Sequence, residues 1–189
     1  MRGHTHIAGG LATASIISIL TIDQGTPLMY ALPSHILILT GAGMGSLLPD
    51  IDIGTSKVSQ RHPIISFFSR IFTTHRGVTH SPFALILVTG FFVLLSYLYP
   101  SPYLGSLYTG IAVGYGSHLL LDILNPRGIP LFYPFSKDRQ HLMEVRTGGL
   151  AEILFFLGFT LLFITVEYRM YGDRLIWIEE TLMERFRNL

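Results

Sequence analysis

His118-Leu-Leu-Leu-Asp122 places an imidazole and a carboxylate four residues apart, on one helical face, where both can reach a single ion. The plain alternative is a His–Asp hydrogen bond that satisfies two buried polar groups. Other segments carry similar donors. His75-Arg76-Gly77-Val78-Thr79-His80-Ser81-Pro82 offers two imidazoles on the irregular entry to an apolar run, with Ser81 suited to cap the helix and Pro82 to its first turn. Arg76 is a natural partner for a phosphate or carboxylate. Leu48-Pro49-Asp50-Ile51-Asp52 brings two carboxylates that can ligate one ion or divide the work, one binding and one acting as base. Helix-ending turns also favour aspartate without any metal. Arg2-Gly3-His4-Thr5-His6 adds two imidazoles; His6 starts the helix, Thr5 is placed to cap it, and His4 belongs to a frayed end. These are hard or borderline N and O donors, and the chain has no cysteine, so thiolate sites and disulfides are excluded.

The elements that must position these groups are apolar. Hydrophobic residues make up 49% of the chain and charged residues 13%, the balance of an integral membrane protein. Runs at about 5–22, 30–49, 81–99, 103–124 and 149–168 approach the roughly 20 residues that cross a bilayer. The first run has no cleavage site before Asp23-Gln24-Gly25 and reads as a retained span. The expected fold is therefore all-α: a multi-pass bundle of about five transmembrane helices over 1–170, with interfacial amphipathic helices and an amphipathic C-terminal helix at 171–189.

Lys and Arg placement orients it. With the N-terminus cytoplasmic, nine basic residues fall on the inner side, and the loops at about 23–29 and 100–102 have none. The four basic residues of the C-terminal tail run against this assignment. Whichever way the bundle is inserted, the alternation of spans brings His6, Asp50, Asp52, His75, His80, His118 and Asp122 to one face. Glu152, one turn into the last span, joins them and needs a partner: a metal, Arg146 or Arg76. His35 lies towards the opposite end and is read as structural, the lone ionisable group of that half. His62 and His141 read as solvated loop residues. Ionisable side chains at membrane depth are expensive, and such a cluster points to a functional site.

Between the spans, Ile64, Phe67, Phe68 and Ile71 share one helical face, which suggests a helix lying in the interface. Residues 125–147 are rich in turn formers and aromatics and read as a loop against the headgroups, over the site.

Taken in order, T-H-x-x-x-G from Thr5, P-D-x-D from Pro49, H-R-G-x-T-H-S from His75 and G-Y-x-S-H-L-x-x-D from Gly114 resemble the YdjM-type inner-membrane proteins. That family is grouped with membrane-bound metal-dependent hydrolases, and at a distance with zinc-dependent phospholipase C and P1-type nucleases. The resemblance implies that His118, Asp122 and a histidine of the 75–80 motif hold one zinc ion. Asp122 would bridge to a second ion held by His6, with Asp50 or Asp52 as general base or further ligand. Two departures stand out. His141-Leu-Met-Glu144 lacks the spacing of the soluble enzymes' third metal site, and Ile53 follows P-D-x-D where the family often has histidine.

The expected function is zinc-dependent hydrolysis of a phosphoester in a membrane lipid at the cytoplasmic interface. Asp50 or Asp52 would take a proton from water, while Arg76 and Arg146 offset charge on the phosphoryl oxygens. Nucleic acid is not an expected partner. The alternatives are a non-enzymatic transporter and a membrane protein with a structural zinc site. A metalloprotease is disfavoured because the chain has no H-E-x-x-H helix.

Overall fold

The structure, a computed structural model, describes residues 1–22, 25–52 and 78–187, with side chains for all of these except 51–52 and 173–187. The order of elements is α1 (Gly3–Thr21), α2 (Leu28–Gly45), a 3-10 turn (Leu48–Asp52), α3 (Pro82–Leu98), α4 (Pro102–Asp122) and α5 (Leu150–Arg187). Each expected apolar run is a helix. Among the described residues the only β pairing is an isolated bridge between Ile129 and Gln140 in the loop after α4. The interfacial helix expected over 63–72 lies outside the described residues.

Two stretches, Leu28–Asp50 and Leu150–Gly172, are by themselves long and apolar enough to cross a membrane, fewer than the five expected. The reason lies in which helices face inward. The buried positions of α1 are Thr5, His6, Ala8, Gly9, Gly10, Ala12, Ala14, Ser15 and Ser18, small or polar side chains suited to close helix contact. Helix α4 buries Gly110, Gly114, Ser117 and His118 together with the larger Ile111, Tyr115, Leu119 and Leu121. Interior helices thus dilute their own hydropathy. Helix α3 has 17 residues, about 26 Å at 1.5 Å each, slightly less than a hydrocarbon core of roughly 30 Å.

The centre of the bundle is α1, α2 and α4; α3 packs on α4, and α5 packs on α1. Helices α2 and α4 meet through two reciprocal small-residue pairs, Gly41/Gly45 and Gly110/Gly114. A Cβ on Gly41 would strike the Leu107 carbonyl, one on Gly45 the Ile111 carbonyl, one on Gly110 the Ile38 carbonyl and one on Gly114 the Ala42 carbonyl. Backbone thus lies directly on backbone.

Outward, α3 exposes Ile86, Leu87, Phe91, Val93, Leu94 and Tyr97, and α5 exposes Leu154, Leu157, Leu161 and Ile164. Apolar surface this extensive marks a membrane or partner face rather than a solvated one. Helix α5 has 38 residues, about 57 Å, and runs without interruption through the expected C-terminal helix. The amphipathic tail is therefore helical but continuous with the preceding span.

Candidate metal centre

Each ligand-type side chain is placed by a local device. At the end of α2, Ser46 closes the helix through its N–H to Ala42, and the chain turns into the 3-10 segment that carries Asp50. Ahead of α3, Ser81 caps the helix by accepting from the Ala84 N–H at 3.2 Å, with Pro82 in the first turn, as the sequence predicts. This sets the turn that holds His80. The Tyr115 hydroxyl donates to the Thr79 carbonyl and ties that turn to α4. In α1, Gly10 lets the helix pass against Ser46, whose hydroxyl a Cβ would strike. His6 is thereby brought against α4, its ring stacked on that of His118 with centroids 3.8 Å apart.

The result is a cluster of five groups from four segments: His6, Asp50, His80, His118 and Asp122. Asp122 Oδ1 lies 3.3 Å from His6 Nε2, and Asp122 Oδ2 lies 3.3 Å from His118 Nε2 and 3.7 Å from His80 Nε2. Asp50 Oδ1 lies 3.3 Å from His80 Nε2 and 3.9 Å from His118 Nε2. The α-amino nitrogen of Met1 is 3.1 Å from Asp122 Oδ1. His118 and His6 are 0% and 1% exposed, Asp122 and His80 16% and 18%, and Asp50 29%. The cluster therefore has a closed inner side and an open edge at Asp50.

Three observations fit this donor set to a divalent ion. First, the imidazole–carboxylate separations lie at or beyond the long limit of N–H···O hydrogen bonds, about 3.2 Å. Donor atoms held at about 2.0–2.1 Å around a tetrahedral ion stand about 3.3–3.4 Å apart, which is the spacing seen for the shorter pairs. Second, His118 Nδ1 donates to the Ser46 carbonyl at 2.7 Å. This fixes the tautomer and leaves Nε2 with its lone pair towards the cluster, the usual outer support of a metal-bound histidine. Third, the buried Nε2 atoms of His118 and His6 have no hydrogen-bond partner. Two sets of three donors, His6/His118/Asp122 and Asp50/His80/His118, each lie with all atoms within 4.8 Å of one another.

The remaining expected residues fall elsewhere. Glu152 is 2% exposed and is held by protein rather than by the cluster: it accepts from the Arg2 N–H, from Thr5 Oγ1 at 3.1 Å and from the Gly148 N–H at 2.5 Å. Its expected partners were a metal or an arginine side chain. Backbone amides at the joint of α1 and α5 take that place, so Glu152 positions the start of α1 and, through it, His6. Thr5 accordingly binds Glu152 instead of capping α1, whose N-cap is Arg2 with no side-chain cap bond. Arg146 is exposed in the loop before α5. His4 is exposed too and packs edge-on against Phe156, away from the cluster. His75, Arg76, His62 and the side chain of Asp52 lie outside the described residues. The loop after α4 folds back on that helix end, with Leu142 N–H bonded to the Ile123 carbonyl and Val145 N–H to the Leu124 carbonyl.

Sequence reasoning missed Tyr115 and the four glycines. Tyr115 sits three residues before His118, and its hydroxyl needs a partner once buried, which is the signal that was available. The G-x-x-x-G spacings at Gly41/Gly45 and Gly110/Gly114 were legible as close helix contacts. It also missed Glu167. This residue meets His35 at the other end of the bundle, so His35 is not the lone ionisable group there.

Comparison with known proteins agrees with the motifs. A family model described as "YdjM inner membrane protein" matches residues 1–180. The chain is 29% identical over 175 residues to "Uncharacterized protein YvsG" of Bacillus subtilis, covering 93% of this chain and 99% of that protein. It is 39% identical over 101 residues to "Inner membrane protein YdjM" of Escherichia coli, covering 51% of this chain and 49% of that protein. The protein of the same name from Shigella flexneri matches to the same extent. No solved structure matches the chain. With the family model spanning all but the C-terminal end and the apolar helices in place, the chain is a membrane protein of the YdjM inner membrane protein family.

Proposed function

We propose that this protein is a metal-dependent hydrolase acting on a phosphoester bond of a membrane lipid at the cytoplasmic face. The observation that carries the reading is His118: one ring nitrogen is committed to the Ser46 carbonyl, and the other is buried, partnerless and faces two carboxylates. In this reading all five helices cross the membrane, the interior ones shielded by α3 and α5. The excess of Lys and Arg on the cluster's side supports a cytoplasmic site.

The residues divide by exposure. His6, His80, His118 and Asp122 would hold one zinc ion. One nitrogen lone pair on His118 can serve one ion, and that atom belongs to both sets of donors. A bound zinc would supply Lewis acidity and bring the pKa of a coordinated water towards neutrality. Asp50, the most open of the five, is the proton acceptor, since its carboxylate lies at the edge that water and a headgroup can reach. His80 Nδ1 is bonded to Thr79 Oγ1 at 3.1 Å, which would leave Nε2 for the ion, with Asp50 Oδ1 3.3 Å from that nitrogen at the open edge. Arg76 and Arg146 are proposed to bind the phosphoryl oxygens.

Asp50→Asn separates these roles. It is expected to retain zinc while lowering turnover of the susceptible phospholipid by about 10²–10⁴-fold, the usual contribution of a positioned base. Phosphate or headgroup release from vesicles of defined phospholipids measures it. Loss of the metal together with turnover would assign Asp50 to the ligands instead.

A second reading has one observation in its favour. Ionisable groups occur at both ends of the bundle, His35 and Glu167 being far from the metal-type cluster. A transporter would use such an arrangement. Metal flux into proteoliposomes, abolished by His118→Ala with no lipid turned over by the wild type, would establish transport in place of hydrolysis.

A further inference from the structure

Three helices meet in a second polar group. Ser15 and Ser18 come from α1, His35 from α2, and Glu167 and Tyr171 from α5. Glu167 lies 15 residues beyond Glu152 on the continuous helix α5, about 22 Å along its axis. The group therefore sits towards the end of the bundle opposite the metal-type cluster. His35 is 2% exposed, and Ser15 and Ser18 are fully buried. His35 Nε2 lies 2.9 Å from Glu167 Oε2 and 3.1 Å from Oε1, and Ser15 Oγ donates to Oε1 at 2.5 Å. The ring of Tyr171 lies against that of His35, with centroids 5.2 Å apart.

These are hydrogen-bonding distances, shorter than the separations in the metal-type cluster. A carboxylate accepts only, so the shared proton belongs to His35 Nε2. Nδ1 is then the bare nitrogen of a neutral ring. It is buried without a hydrogen-bond partner, and so is the Ser18 hydroxyl. In that state the group carries the negative charge of Glu167, which is 23% exposed, with no cation beside it among the described residues. One proton on Nδ1 would make an imidazolium–carboxylate pair of zero net charge and turn Nδ1 into a donor. Among the described residues, the titratable groups facing His35 are Glu167 and Tyr171, both from α5. At this level α1 presents hydroxyls, and the histidine and aspartate of α4 are at its far end.

We propose that His35 and Glu167 form a proton-binding site at the end of the bundle opposite the metal-type cluster, with His35 Nδ1 as the atom that takes the proton. Ser15 orients the carboxylate by its hydrogen bond. The ligand is the proton itself, and the site does not depend on the reaction proposed for the other end.

Solid-state NMR of the ¹⁵N-histidine-labelled full-length protein in phosphatidylethanolamine–phosphatidylglycerol vesicles tests this directly. It distinguishes a neutral ring bearing one N–H from a doubly protonated imidazolium, and His35→Gln identifies the His35 signals by their loss. Spectra are recorded at a series of pH values from about 8 down to about 5, and the doubly protonated ring is expected among the His35 signals at the acid end. Glu167→Gln is expected to weaken proton binding at His35 tenfold or more. A wild-type His35 that stays neutral over the whole range would overturn the proposal and leave the group a clasp between helices. So would a titration unchanged by Glu167→Gln in a folded variant. The wild-type titration decides the matter even if the variant fails to fold.

Discussion

Asp122→Ala is expected to abolish stoichiometric metal binding, the largest effect on the ion of any single substitution in the cluster. Asp122 is the carboxylate against which His6, His80 and His118 all lie, at 3.3–3.7 Å. Without it, three imidazoles remain with no anionic ligand among them except Asp50 at the open edge. Loss of a hydrogen-bonding partner behind a metal ligand already costs about 10–100-fold in affinity, and loss of the shared carboxylate should exceed that. The measurement is thermal stability with and without zinc. A ligand at a thousand times its Kd stabilises the folded state by about 4 kcal/mol. The wild type should show a shift of that order and Asp122→Ala almost none. His141→Ala, in the exposed loop, should keep the wild-type response. Equal zinc stabilisation in Asp122→Ala and wild type would remove Asp122 from the centre.

Gly114→Ala is expected to damage stability and metal binding together, although alanine is the better helix former. The added Cβ would meet the Ala42 carbonyl of α2. That obstacle is backbone, which cannot rotate away as a side chain can, so the two helices must separate. Overpacking typically costs about 1–3 kcal/mol, and a backbone contact belongs at the upper end. His118 lies one turn further along α4, and its Nδ1 bond runs to the Ser46 carbonyl at the end of α2. Separating the helices therefore pulls a ligand from its support. The controls are Gly43→Ala and Gly105→Ala, at positions on the same two helices where a Cβ would meet nothing within 4 Å. Both should be neutral or stabilising by up to about 1 kcal/mol through helix propensity. Equal thermal shifts at Gly114 and Gly43 would contradict the close approach.

Much of this arrangement was readable from the chain. Hydropathy located the five helices, and their alternation places at one end the five motif residues that the structure brings together. His6, Asp50, His80, His118 and Asp122 could be found because a polar ligand at the end of an apolar run is costly and easily seen. What could not be read was pairing between distant elements. Glu152 announces that it needs a partner, but nothing local says that the partners are the Arg2 and Gly148 amides and Thr5. Glu167 falls near the end of an apolar run and passes for a boundary residue until His35 and Ser15 are brought to it by α2 and α1. The count of self-sufficient spans came out lower than expected for a related reason. Helices α1 and α4 pack on one another and on α2, and the glycine, alanine and serine at their buried positions lower their mean hydropathy.

The central claim is that His118, with His6, His80 and Asp122, holds one divalent ion. Zinc K-edge X-ray absorption of the purified full-length protein, combined with metal stoichiometry, tests it most directly. The account predicts one zinc per chain in a shell of imidazole nitrogen and oxygen, with no sulfur, and a loss of that zinc in His118→Ala. A wild type that carries no stoichiometric metal after exposure to excess zinc, or a His118→Ala variant with an unchanged spectrum and stoichiometry, would contradict it.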